Sequence, residues 1–374
     1  MPDRPHGVLP PSAPQLLATL TCLLLAAACK TPAGTAGDVP ARAQDAEREY
    51  AVVAFYNLEN LFDTDDDPDN GGDDEFLPGS AKQWTPLRYQ QKLGRLADVV
   101  AQLGGEVARG GPDVLGVSEV ENAKVLEDLT RQAPLAGSGY RVVHVESPDF
   151  RGIDNGLLYR AERFTPTHTE ALRVDLGLRD DGTPRTTRDI LYVRGDLAGG
   201  ELHVLVNHWP SRRGGEAASR PGRAAAARVA RRVVDSLRAL DPAVDIALVG
   251  DFNDDPVSPS LAEVLAAADR RGDAGQTGLY NPMHALYRRG DGSLGYRDSW
   301  NLFDQVIVSE GLARDEAGGW RLRDAKVFRR GFLLQPAGRF KGYPLRTYVG
   351  DDYRAGYSDH LPVYAVLERP ARSS

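Results

Sequence analysis

The sequence predicts an α/β protein built in layers. Short apolar runs of strand length recur along the chain. Two longer segments with helical spacing stand among them. Each strand-like run stops abruptly at polar residues. Ile246–Asn253, reading IALVGDFN, is the sharpest case. Its first five residues are apolar or small, as in a strand buried on both faces. Gly250 is expected to let the chain turn, and Asp251 and Asn253 are presented at the strand end. A rigid strand would hold these two side chains while the following loop exposes them.

The other elements follow in order. Tyr50–Tyr56 reads as a buried strand ending at Asn57. Pro86–Leu103 is an amphipathic helix, with Leu93, Leu96, Val100 and Leu103 on one face and Gly104-Gly105 as its stop. Val114–Val117 is a second buried strand, and Glu119 follows it in the run SEVEN. Tyr140–Val145, Gly156–Tyr159, Ile190–Val193 and Leu202–Val206 are further strands. The last of these runs into Asn207, His208, Trp209 and the Arg212-Arg213 pair. Ala224–Leu240 is a helix buried through Val229, Val233, Leu237 and Leu240, and its arginines are expected to form a solvated face. Pro259–Ala268 is expected as another helix, and 269–300 as an irregular glycine-rich stretch. Trp300–Val308 returns to strand with Asp304 near its start. Residues 328–357 interleave arginines with aromatics, a pattern suited to a polyanion. Ser358-Asp359-His360 then leads into the last strand.

The 374 residues carry a formal net charge of −8. Thirteen acidic and two basic residues lie between Asp38 and Glu75, which leaves 40 acidic and 43 basic elsewhere. The negative charge is therefore local, and the rest of the surface is not closed to a polyanion. The acidic loop Asp63–Glu75 fails as a calcium-binding loop: Pro68 stands where glycine is needed and Asp74 where glutamate is needed. It reads as a solvated loop. Cys22 and Cys29 are the only cysteines, so the domain has neither a disulfide framework nor a thiolate metal site.

The N-terminus reads as a targeting segment. Leu16–Ala28 is an apolar run of signal-peptide length. It ends Leu25-Ala-Ala-Ala-Cys29, which resembles a bacterial lipobox, with Ala26 where leucine is usual. That implies export, with lipidation at Cys29 and anchoring to a bacterial membrane on the periplasmic or outer-membrane side, or else ordinary secretion. The expected organisation is a signal segment over 1–29, a tether over 30–49, one domain over 50–368 and a disordered tail over 369–374.

The chemistry-bearing residues are Asn57, Glu119, His208, Asp251, Asn253, Asp304, Asp359 and His360. Oxygen donors suit a hard divalent cation, Mg²⁺ or Mn²⁺. Histidines beside carboxylates suit proton transfer near neutral pH. No GxSxG elbow, P-loop or HExxH motif occurs. The inventory points to metal-assisted hydrolysis of a phosphate ester.

Asn57 after the first strand, SEVEN, NHWPSR, GDFND, Asp304 in a late strand and SDHLPV, in this order, resemble the endonuclease/exonuclease/phosphatase superfamily over about residues 50–367. The resemblance implies a four-layer α/β sandwich of the deoxyribonuclease I type, with two mixed sheets face to face and helices outside. It implies Glu119 as principal metal ligand helped by Asn57, with Asp359 near the metal. It implies His360 as catalytic histidine oriented by Asp304, Asp251 acting on the water or leaving oxygen, and Asn253 and His208 on phosphate oxygens. Arg212 and Arg220 are candidate phosphate contacts, and Asp154 is a weaker one. The implied activity is a monomeric phosphodiesterase acting on nucleic acid. The same core serves phosphomonoesters, phospholipid head groups and inositol phosphates, and a binding protein without catalysis is a third reading.

Overall fold

The computed structural model describes residues 47–68, 70–314 and 318–371. The signal segment, Cys29 and most of the expected tether lie outside the described residues.

The first half of the domain comprises β1 (Arg48–Leu61), α1 (Pro86–Val100), β2 (Val114–Val120), α2 (Ala123–Thr130), β3 (Tyr140–His144), β4 (Asp154–Arg160) and β5 (Phe164–Leu172). It continues with β6 (Ile190–Leu197), β7 (Gly200–His208), α3 (Glu216–Leu240) and β8 (Ile246–Asp251). Then come α4 (Ala274–Thr277), β9 (Leu279–Tyr280), α5 (Met283–Arg288), β10 (Leu294–Tyr296), β11 (Ser299–Asn301), β12 (Asp304–Ser309) and α6 (Glu310–Ala313). The chain closes with β13 (Arg321–Val327), β14 (Tyr348–Val349), β15 (Asp352–Tyr353) and β16 (Val363–Pro370).

Two six-stranded sheets carry the fold, ordered β13-β16-β1-β2-β4-β3 and β5-β6-β7-β8-β12-β9. Each is mixed: β1 runs parallel to β2, and β7 parallel to β8, among antiparallel neighbours. Side chains alternate across each strand. In β1, Ala51, Val53 and Phe55 face the second sheet, where they meet Val204, Val206, Val249 and Val306. Val52, Ala54 and Tyr56 face the other way, against Leu93, Leu96 and Val100 of α1 and Leu126 of α2. The outer face of the second sheet packs Leu205, Leu248 and Ile307 on Ala226, Ala230 and Val234 of α3. The expected four-layer sandwich is therefore observed: helix, sheet, sheet, helix.

Several elements depart from expectation. Strand β1 does not stop at Asn57. It continues to Leu61 through a register shift, with Glu59 and Asn60 at positive φ. Gly250 has no positive φ. Its role is close approach, since a Cβ there would lie 2.3 Å from the Asn207 carbonyl oxygen. The expected helix Pro259–Ala268 is only a π turn over Ser260–Val264. It is cut short because Ala266 takes positive φ and Ala268 must bridge Tyr280 at the sheet edge. Helix α3 begins eight residues before Ala224 and runs through Pro221. Its first turn is held by Ser219 Oγ on Gly215 O and by Arg223 on Ser219 Oγ. The stretch 269–300 is not irregular but holds α4, β9, α5 and β10. The domain boundaries also move outward. Arg48 and Glu49 pair with β16, and Arg369 is a buried strand residue rather than tail.

Candidate active site

The topology delivers the polar residues to one edge. The parallel pairs β1/β2 and β7/β8 end there, and β4, β12 and the approach to β16 begin there. Register makes this concrete: Asn57 lies opposite Ser118, His208 opposite Asp251, and Asp251 opposite Asp304. The SDH loop is tied in by Ser358, whose Oγ donates to Asn57 O at 2.7 Å and accepts from His360 N at 3.1 Å.

At the centre, His360 Nδ1 bonds Asp304 Oδ2 at 2.7 Å. Asp304 is fully buried, and its Oδ1 has no hydrogen-bond partner among the described residues. His360 Nε2 points across to Asp251 Oδ2 at 3.9 Å, beyond hydrogen-bond reach. Burial alone would pull the His360 imidazole down, but Asp304 and Asp251 together hold it well above its ordinary value. Burial pushes the Asp251 carboxyl up to about 7, with His360 opposing and Asp304 adding to the rise. Asp251 is itself fixed: Oδ1 accepts from Asn253 N at 2.9 Å, and Oδ2 from Asn57 Nδ2 at 3.2 Å.

On the other side stands Glu119, held at φ 57° where the β2 register shifts. Its Oε2 accepts from Asn60 N at 3.1 Å. Its Oε1 lies 3.8 Å from His208 Nε2 and 3.9 Å from Arg151 Nη2, without a hydrogen bond among the described residues. A non-glycine residue in the left-handed region costs free energy that the surrounding fold must supply, and such positions cluster at functional sites. Asn253, at φ 50°, is a second case. His208 is buried, and its Nδ1 has no partner among the described residues. Burial, then Arg188, Arg151 and His360, hold its imidazole well below the ordinary value, so it is neutral.

The structure thus gathers Glu119, Asn57, His208, Asp251, Asn253, Asp304 and His360 at one edge. Asp359 follows the same loop, but its Oδ2 is bound by Arg346 Nη2 at 2.7 Å. The Asn253 amide donates to Trp209 O at 2.9 Å. The two candidate arginines are engaged elsewhere. Arg212 braces the GDFND turn through Asn253 O and Asp254 Oδ1, and Arg220 pairs with Glu216 one helical turn away. Asp154 receives Ser147 N and contacts His144 Nε2 at 3.0 Å. Asp254 and Asp255, expected in a solvated turn, are buried. Asp254 forms an ion pair with the wholly buried Arg223 at 2.7 Å, and Asp255 accepts from Leu302 N.

Sequence reasoning missed Arg151 and Arg188. Arg188 Nη1 bonds Asp149 Oδ2 at 3.1 Å and its Nη2 bonds Trp209 O at 2.8 Å, beside His208. Both arginines stand just before strands, and both charges act on His208. Their only signal was position at a strand start, which was used for the carboxylates alone.

The donor set fits a hard cation. Glu119 Oε1 is without a hydrogen bond among the described residues, and one atom each from Asp251, Asp304 and His360 lies within 4.8 Å of the others. All nearby donors are oxygen or imidazole nitrogen.

Solved structures share this fold. TDP2 of D. rerio, complexed with a single-strand DNA product, is similar at a TM-score of 0.52 and 13% identity, covering 85% of this chain and 98% of that one. A D. rerio TDP2 humanized by 14 mutations gives 0.50 and 13%, with 85% and 98% coverage. A mannosyl-6-phosphatase of Bacteroides thetaiotaomicron VPI-5482 gives 0.49 and 16%, with 85% and 99% coverage. No curated protein matches the sequence. The model of the Endonuclease/Exonuclease/phosphatase family matches residues 52–369, and the chain belongs to that family.

Proposed function

We propose that this protein is a divalent-metal-dependent phosphodiesterase whose substrate is a nucleic acid. The observation that carries the proposal is the opposition of the Asp304–His360 pair and Asp251 to Glu119, His208 and two arginines at one end of the two sheets. Asp304 accepts from Nδ1–H of His360 and orients the ring, so that its Nε2–H faces the substrate. A cationic His360 stabilises charge developing on a phosphoryl oxygen. Asp251, with its carboxyl at about 7, accepts or returns a proton near neutral pH. Neutral His208 offers its Nε2–H to a phosphoryl oxygen. Glu119 would hold Mg²⁺ or Mn²⁺, with Asn57 and Asp359 nearby. Such an ion, when bound, polarises the phosphoryl group and offsets charge in the transition state.

Purified residues 40–374 should hydrolyse bis(p-nitrophenyl) phosphate and nucleic acid with Mg²⁺ or Mn²⁺, and EDTA should stop the reaction. Full activity in Glu119→Ala and His360→Ala variants would overturn these assignments. Turnover confined to phosphomonoesters or phospholipids in a substrate panel would replace the phosphodiesterase reading.

The anchor is part of the same proposal: export and lipidation at Cys29, motivated by the lipobox-like end of the apolar run. Labelling with a radioactive fatty acid in a bacterial host should mark the full chain and not Cys29→Ser. Equal labelling of both would reject the anchor.

A further inference from the structure

We infer that a basic groove beside the catalytic edge binds the backbone of a single-stranded polynucleotide, next to the phosphate being cleaved. The inference rests on the phosphodiesterase reading and adds the substrate class and its path. The groove is a cavity of about 590 Å³ between the 149–151 loop, the approach to β6, the 210–213 loop and the start of α3. Its wall includes Phe150, Arg185, Thr187, Arg188, Arg213 and Arg228. Arg188 joins it to the catalytic edge through Trp209 O, one residue past His208.

Three features point to a polyanion. Arg185, Arg213 and Arg228 are exposed, and among the described residues none of their guanidinium groups has an ion pair. Neighbouring Arg212, Arg220 and Arg223 are all paired with carboxylates. Of the two carboxylates on the wall, Asp149 is neutralised by Arg188, whereas exposed Asp175 keeps its charge beside a backbone N–H, so among the described residues three unpaired arginines stand against one uncompensated carboxylate. Thr187 is buried, and its Oγ1 has no hydrogen-bond partner among the described residues, which leaves a hydroxyl in the wall.

The fourth feature selects the strandedness. Phe150 is 61% exposed on the same wall. A bare aromatic ring beside arginines stacks an unpaired base while the guanidinium groups track the phosphates. A duplex hides its base faces and gives that ring nothing to stack on.

The test is binding of a labelled single-stranded oligonucleotide to the full chain by fluorescence anisotropy in EDTA, where no turnover is needed. Changing Arg185, Arg213 and Arg228 together to alanine should weaken binding about 10- to 100-fold. It should also lower the slope of log K against log salt by about two, at roughly 0.7 per lost phosphate contact. Phe150→Ala should weaken single-strand binding several-fold and leave duplex binding unchanged. Restoring charge with three lysines should recover the salt slope. Hydrolysis of bis(p-nitrophenyl) phosphate should not change in any of these variants. Unaltered oligonucleotide binding in the triple alanine variant would overturn the inference. So would loss confined to binding of phosphatidylglycerol vesicles, which would assign the groove to a lipid surface. Absence of bis(p-nitrophenyl) phosphate hydrolysis in the wild type would instead count against the catalytic reading, and anisotropy would still decide the groove.

Discussion

Asp304 and His360 lie 56 residues apart in the chain and meet at 2.7 Å. Asp304 Oδ2 accepts from His360 Nδ1, fixes the orientation of the ring and helps keep it protonated against the pull of burial. An amide keeps the shape and loses the charge. Asp304→Asn should therefore lower kcat for bis(p-nitrophenyl) phosphate by about 10²- to 10⁴-fold, in the range of acid–base effects. KM should change little, because phosphate binding falls to His208 and the neighbouring arginines. Steady-state kinetics over pH 5–9 checks this, and a rise in KM at constant kcat would refute the positioning role. Asp251 and Asp254, three residues apart, are both buried and differ in their partners: Asp254 meets Arg223 and Ser260 and braces the turn, whereas Asp251 meets Asn57, His208 and His360.

At the scale of elements, the site depends on how closely the two sheets approach. Gly116 of β2 faces Val249 and Val206 of the opposite sheet, and a Cβ there would fall 2.7 Å from Val249 Cγ2. Gly116→Val should cost at least about 1–3 kcal/mol by overpacking. Denaturant unfolding would show it, and unchanged stability would mean that the sheets are spaced more loosely than described. The turn after β2 makes a second prediction. Glu121 is buried and accepts from Asp63 N at 2.7 Å. Burial pushes its carboxyl up to about 7, with Asp63 and Asp73 adding to the rise. Between its unfolded value near 4.5 and 7, the folded protein keeps a proton that the unfolded chain has lost. Stability from this group therefore falls as pH rises through that window. Glu121→Gln, which still accepts from Asp63 N, should raise Tm by a few degrees at pH 8 and leave it unchanged at pH 4. Melting curves at both pH values test the sign.

At the scale of the whole molecule, the first and last strands pair within the first sheet. Glu49 of β1 accepts from Arg369 of β16 at 2.7 Å and from Arg163 at 2.8 Å. Ala371 N bonds Glu47 O at 2.7 Å. A chain beginning at Ala46 should melt at the same temperature as one beginning at Lys30. A chain beginning at Ala51 should melt several degrees lower, because Arg369 is left buried beside no carboxylate. Equal melting of all three would remove Glu49 from the stabilising pairs. The charge distribution along the chain belongs to this scale too: the acidic excess is concentrated between Asp38 and Glu75, and the rest of the sequence is slightly basic.

The sequence by itself determined the layered class and the principal strands, because buried strands and amphipathic helices are patterns of period two and 3.6 that any reader of the chain meets. It also marked His208 and Asp251 at strand ends and Asp304 near a strand start, whereas Asn57 and Glu119, expected at strand ends, lie inside β1 and β2. It missed α2, a helix of only eight residues although Val125, Leu126 and Leu129 form its buried stripe, and β5 and β13, whose residues are mostly polar or only half-buried. It misjudged Asp254 and Asp255, because a charge looks the same in sequence whether it meets water or a buried partner. Only the tertiary structure decided those pairings: Arg223 lies under Asp254, and Arg220 beside Glu216. Only it brought Arg151 and Arg188 to His208 and left Arg185, Arg213 and Arg228 unpaired around one groove. Distances between residues far apart in the chain are set by sheet register and packing, and neither is written in any local stretch of sequence.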